Sequence, residues 1–164
     1  VRHPEFPESL SYVNAGRNVI VLRTFSKIYG LAGLRIGYGM TTPEITNYLN
    51  RIRPPFNANS MAQRAALAAL DDEAHVGASR ALNHAEMDKV RTGLLTLGFE
   101  ALPSETNFLY FDVGRDGREV FDALLRKGII VRHIDGRMLR VTIGLPEENQ
   151  LFLSALADVT RAAR

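Results

Sequence analysis

Apolar and polar positions alternate along this chain in two distinct textures. In the first hundred residues, two short apolar runs rich in β-branched side chains, 18–24 (NVIVLRT) and 34–39 (LRIGYG), predict buried strands, the second entered through a glycine-rich turn. Pro43 suits the first turn of a helix with Thr41 or Thr42 as its cap, and the pattern carries that helix to about Arg51, before Pro54 and Pro55 stop it. Residues 60–69 (SMAQRAALAA) are alanine-rich and predict a second helix. Asp71 and Asp72 read as a break and a new cap. A long helix follows over 73–97, closed by Gly98, with Val76, Ala81, Leu82, Ala85, Val90, Leu94 and Leu97 as its apolar stripe.

Beyond Gly98 strands and helices alternate at short spacing, as in a small α/β domain. Strands are predicted at 107–112 (NFLYFD), 129–132 and 138–143 (MLRVTI). An amphipathic helix over 120–127 ends at Gly128. A last helix begins at Pro146 with Leu151, Phe152, Ala155, Leu156 and Val159 facing inward. No internal repeat is visible.

Composition narrows the function classes. The chain has 164 residues, 46% hydrophobic and 23% charged, which suits a globular protein with one ordinary domain or two small ones. It has no cysteine, so a disulfide framework, a thiolate metal site and a cysteine nucleophile are excluded together. Three lysines (Lys27, Lys89, Lys127) stand against seventeen arginines, scattered rather than clustered, which argues against a nucleic-acid partner. His3, His75, His84 and His133 lack ligand spacing, so no metal site is expected. No apolar run approaches the roughly 18 residues of a membrane span, and no basic-then-apolar leader opens the chain, so the expectation is a cytoplasmic protein. Its first residue is Val1, and its opening reads as a surface loop, as expected of a piece of something longer.

The chemistry concentrates in residues 24–38 (TFSKIYGLAGLRIGY). Lys27 stands at the end of an apolar strand, preceded by the hydroxyls of Thr24 and Ser26 and followed eight residues later by Arg35. A lysine amine can condense with an aldehyde where desolvation and neighbouring positive charge leave it partly neutral. Thr24 and Ser26, two apart, would lie on one side of a strand and point both hydroxyls at one phosphate. Arg35 would add forked, charge-assisted bonds. Gly30 and Gly33 allow a tight turn and close backbone approach. Together these suit capture of a phosphorylated aldehyde. The order of residues fits neither a P-loop, which needs Gly-Lys-Ser/Thr, nor a dinucleotide turn, because Gly37-Tyr38-Gly39 has no third glycine in register. Tyr29 and Tyr38 read as packing residues.

This segment resembles the cofactor-lysine segment of fold-type I aminotransferases, and within them the histidinol-phosphate aminotransferase group. Residues 53–59 (RPPFNAN) with Ala62-Gln63 resemble that family's interdomain segment, 104–108 (SETNF) its small-domain strand, and 139–144 (LRVTIG) with 146–149 (PEEN) its closing signature. The resemblance implies an α/β fold, the C-terminal part of a fold-type I pyridoxal-phosphate-dependent transferase: the end of the large parallel-sheet domain (1–70), a long interdomain helix (71–97) and a small C-terminal domain (98–164). It implies pyridoxal 5′-phosphate as cofactor, with its aldehyde on Lys27 as the catalytic residue and its phosphate on Thr24, Ser26 and Arg35. Arg140 would bind the substrate α-carboxylate and Arg132 the substrate phosphate, although the segment 133–139 is shorter than the family's usual glycine-rich loop. Asn107, and more weakly Asn57, would line the pocket. The implied reaction is transamination of histidinol phosphate with 2-oxoglutarate, in histidine biosynthesis, by a homodimer when complete. An aromatic aminotransferase or a threonine-phosphate decarboxylase would share most of these motifs, and a non-catalytic folding or dimerisation remnant is the alternative from another class. In the family, an aspartate at the pyridine nitrogen and a tyrosine at the ring hydroxyl lie upstream of the position of Val1, so the isolated chain is expected to be a poor catalyst.

Overall fold

A computed structural model describes residues 8–161. The chain divides into two compact units, 8–79 and 80–161 over the described residues, and the division falls inside a single long helix.

The first unit opens with a short helix, α1 (Leu10–Asn14), which the hydrophobic pattern did not announce. Strand β1 (Val21–Thr24) then pairs antiparallel with β2 (Gly37–Met40), in the register Val21↔Met40 through Thr24↔Gly37. The expected strand over 34–39 begins three residues late. Residues 32–34 form a 3-10 turn and Arg35 takes a left-handed conformation (φ 54°, ψ 53°), which cannot continue into a ladder. Glycine at 37 is dictated by the pairing, because a Cβ there would stand 2.7 Å from the Arg23 carbonyl oxygen. Of the strand residues predicted to be buried, only Val21 is; Leu22 is 72% exposed. A two-stranded ribbon has too little sheet to cover both faces.

The next helices follow their local signals closely. In α2 (Pro43–Ile52), Pro43 occupies the first turn and Thr42 Oγ1 accepts the Ile45 N–H, which decides between the two threonines. Asn59 Oδ1 accepts the Ala62 N–H at 2.8 Å to start α3 (Ser60–Asp71), whose buried residues are Ala62 and Ala66. Asp72 Oδ1 accepts the His75 N–H at 2.9 Å at the head of α4 (Glu73–Thr96). Gly98, at φ 86°, ends α4 with the paired bonds Gly98 N–H to Leu95 O and Phe99 N–H to Leu94 O.

In the second unit, three antiparallel strands are ordered β3 (Phe108–Asp112), β5 (Met138–Thr142), β4 (Arg132–Asp135). Helix α5 (Gly117–Arg126) joins β3 to β4, and α6 (Pro146–Arg161) follows β5. One face of the sheet sends Leu109, Phe111, Leu139 and Val141 into a core completed by Met87, Val90 and Leu94 of α4, Val120 and Leu124 of α5, and Phe152 and Leu156 of α6. Phe111 and Phe152 meet edge to face at 6.2 Å. The strand expected at 129–132 starts at its last residue instead. Helix α5 closes through Gly128, and 129–131 are spent on the connection, with Ile130 82% exposed. Ala81, Leu82, Ala85 and Leu151, assigned to buried stripes, are exposed, and Glu86 and Met87 are buried instead. The helical period is right there, but the buried face is rotated. Among the described residues no helix is long and apolar enough to cross a membrane.

Candidate functional site

The turn around Lys27 is built by competing hydrogen bonds. Strand β1 ends at Thr24, because its hydroxyl oxygen accepts the Ser26 N–H at 3.0 Å and bends the chain out of the ladder. Thr24 and Ser26 therefore do not share one side of a strand, as expected; they share a side-chain turn. The Thr24 oxygen is used as an acceptor there and its O–H remains a donor. Phe25 is buried, and its ring packs against those of Tyr29 and Tyr38, at 4.9 and 5.7 Å between ring centres. Gly30 N–H donates to Lys27 O at 2.8 Å and Leu31 N–H to Phe25 O at 2.9 Å, closing a compact loop in which Gly30 takes φ 70°. Lys27 sits on the outside of this loop, exposed, with no hydrogen bond or ion pair from Nζ among the described residues.

Arg35 reaches back over the loop. Its Nη1 donates to Ala32 O at 2.7 Å and to Ser26 Oγ at 3.4 Å. The left-handed backbone at Arg35 costs of order 1–3 kcal/mol for a residue with a Cβ. Thr24, Ser26 and Arg35 are thus brought together beside Lys27: two hydroxyls, one guanidinium and one amine within one turn. That donor set fits a phosphate flanked by an aldehyde. Other segments of the same unit are committed to structure. Asn57 Oδ1 accepts from Arg53 Nη1 at 3.2 Å, which makes it a loop-bracing residue.

In the second unit the sheet face turned away from the core carries Arg140 and Arg132. They are direct cross-strand partners on β5 and β4, and Tyr110 of β3 flanks Arg140 on the other side. The Arg140 guanidinium lies over the Phe108 ring, 4.7 Å from its centre. Its Nε is buried without a hydrogen-bond partner. Two arginines directly opposite each other repel, at a cost of about 0.2–1 kcal/mol, and an anionic ligand would relieve that cost. Asn107, half-buried just before β3, uses its backbone carbonyl to accept the Ile143 N–H at 2.9 Å.

Sequence reasoning missed one polar cluster behind this sheet. Glu86 of α4 is 2% exposed. Its carboxylate accepts from Lys89 Nζ at 2.6 Å and from Asn149 Nδ2 at 2.9 Å. Asn149, also buried, in turn donates to Gly144 O and accepts from Gly144 N–H, both at 3.0 Å. The bond from Lys89, then that from Asn149, holds the Glu86 carboxyl below its ordinary pKa against the opposing effect of burial. The cluster fastens the chain just past β5, four residues beyond Arg140. Glu86 and Lys89 at i, i+3 look like any surface pair, so only the fold reveals the buried role.

Similarity to known proteins points the same way. The family described as aminotransferase class I and II matches residues 2–156. A histidinol-phosphate aminotransferase from Moorella thermoacetica is 55% identical over 159 residues, covering 94% of this chain and 41% of that protein. The crystal structure of histidinol-phosphate aminotransferase from Sinorhizobium meliloti in complex with pyridoxal-5′-phosphate is 34% identical, with a TM-score of 0.84, and the match covers 90% of this chain and 42% of that one. The histidinol-phosphate aminotransferase from Clostridium acetobutylicum, at 24% identity, supports the fold alone, with a TM-score of 0.89 over 98% of this chain and 51% of that one. The chain spans about half the length of these relatives, or less.

Proposed function

The chain belongs to the class I and II aminotransferases, and on that premise we propose that it supplies the cofactor-anchoring and substrate-carboxylate-binding part of a pyridoxal-phosphate-dependent histidinol-phosphate aminotransferase. The observation that carries this reading is the turn in which Arg35 reaches Ser26 beside an exposed Lys27. Pyridoxal phosphate, when bound, supplies the electron sink for a carbanion at the substrate α-carbon. Lys27 anchors it and moves the proton at that carbon. Thr24 and Ser26 donate their hydroxyl protons to its phosphate, and Arg35 adds charge-assisted bonds and neutralises the phosphate charge.

Arg140 takes the substrate α-carboxylate. Its Nε, buried and without a partner, is the donor that such a carboxylate satisfies. Arg132, across the ladder from Arg140, takes the substrate phosphate, and Asn107, just before β3, lines the pocket. The resulting reaction is exchange of an amino group between histidinol phosphate and 2-oxoglutarate, yielding imidazole-acetol phosphate and glutamate. The same reading makes the complete protein a cytoplasmic homodimer.

Reduction with borohydride in the presence of pyridoxal phosphate, followed by mass analysis of peptides, tests the assignment. A cofactor-sized adduct is expected on Lys27 and lost in Lys27→Ala. Labelling spread evenly over Lys27, Lys89 and Lys127 sinks the reading.

A further inference from the structure

The Ile28 carbonyl of the Lys27 loop receives no backbone N–H of the loop. Gly30 N–H is committed to Lys27 O and Leu31 N–H to Phe25 O, so no amide of the turn reaches Ile28 O. Its acceptor capacity is met from 47 residues away: His75 Nε2 stands 3.1 Å from it. A carbonyl only accepts, so Nε2 must carry the proton. Ser79 Oγ, one helical turn on at 3.5 Å from the same nitrogen, is then a second acceptor for that N–H. His75 is itself held, since its backbone N–H is capped by Asp72 Oδ1 at 2.9 Å.

We infer that His75 is a positioning residue for Lys27. Its ring N–H clamps the Ile28 carbonyl, one residue past Lys27, and so restrains the loop that carries the amine. The clamped carbonyl belongs to the Ile28–Tyr29 peptide, in a loop whose own backbone bonds fix Phe25, Lys27, Gly30 and Leu31 but do not pin that plane. Rotation of that plane would swing the loop on which the amine is mounted. An acceptor left without its partner favours such rotation toward water. Neither the Lys27 turn nor the start of α4 makes this contact by sequence proximity; packing within the first unit brings them together. The functional consequence rests on the reading of Lys27 as the cofactor anchor, but the clamp is measurable without it.

An endoprotease that cleaves only after lysine has three targets in this chain, Lys27, Lys89 and Lys127. In His75→Ala, cleavage after Lys27 relative to Lys127 is expected to rise about fivefold to tenfold, the size of effect one lost hydrogen bond gives. In His75→Gln, which retains a side-chain N–H donor, the ratio stays within about twofold of wild type. The borohydride-trapped adduct on Lys27 falls in His75→Ala and returns in His75→Gln. The inference is overturned by an unchanged ratio in His75→Ala, by His75→Gln as loose as His75→Ala, or by equal opening of all three sites. It is overturned equally if a wild-type adduct persists undiminished in His75→Ala. Should wild type form no adduct while the cleavage pattern is as expected, the cofactor assignment fails and the clamp stands.

Discussion

The two units of this chain hold their chemistry in opposite ways. Residues 80–161 surround a core of fourteen buried side chains drawn from a sheet, three helices and the loop residues Val113 and Val131. Arg140 and Arg132 ride on the far face of that sheet, so their backbone positions inherit its rigidity. The first unit buries few apolar side chains, Val21, Phe25, Ala62 and Ala66. Its Lys27 loop is held by hydrogen bonds instead: Ser26 N–H to Thr24, Arg35 to Ala32 and Ser26, and His75 to Ile28. Hydrophobic burial is nondirectional and supplies stability, whereas directional bonds at low burial supply orientation. A strand pair with Leu22 exposed contributes little of the former, so the geometry of the Lys27 loop depends on the latter.

Truncating the core should break the comparison most strongly. Phe111→Ala is expected to destabilise the second unit by about 3–5 kcal/mol, whereas Leu22→Asn on the exposed ribbon should change stability by less than about 0.5 kcal/mol. Chemical denaturation with residue-resolved hydrogen exchange measures both, and comparable losses would show that the units are not stabilised differently. Asn149→Ala removes the buried amide that joins Glu86 to Gly144 and should cost about 1–3 kcal/mol, read as a lower denaturation midpoint. An unchanged midpoint would mean that the second unit does not depend on that cluster.

Arg35→Gly sharpens the contrast from the other side. Glycine accepts φ 54° without strain, so stability should hold or rise by up to about 1 kcal/mol, while affinity for pyridoxal phosphate falls. A loss of stability together with unchanged affinity would make Arg35 a structural residue.

The gentlest effect concerns pH. The Glu86 carboxyl is lowered below its ordinary value in the folded protein. Its contribution is therefore complete above the unfolded carboxyl pKa and is lost as pH falls through the folded one. Glu86→Gln should flatten the acid limb of the stability profile in that window, and thermal midpoints measured across it would reveal an unaltered slope if the carboxylate contributes nothing.

Much of this was legible in the chain itself. Thr42 with Pro43 and Asp72 mark helix starts, and Gly98 and Gly128 mark helix ends, because capping acts over three to five residues of contiguous chain. The candidate chemistry at Lys27 was legible for the same reason, its hydroxyls and arginine lying within eleven residues of one another from Thr24 to Arg35. The apolar stripes were harder. Period 3.6 locates a helix, but Leu82 and Leu151 are apolar residues left outside while Glu86 went in, since which side is covered depends on what packs against it.

The sequence alone determined where α2, α3, α4 and α6 start, that α4 and α5 end before a glycine, that one lysine stands among phosphate-binding residue types, and which family the pattern resembles; it held no sign of α1 and began α5 three residues late. Tertiary structure decided that β1 stops at Thr24, that Arg35 turns left-handed to reach Ser26, and that Arg132 faces Arg140 across the ladder. It also joined His75 to Ile28 and Glu86 to Asn149, over 47 and 63 residues. The physical reason is range: caps and turns satisfy their hydrogen bonds locally, whereas register, burial and buried polar pairs are settled only when distant segments meet.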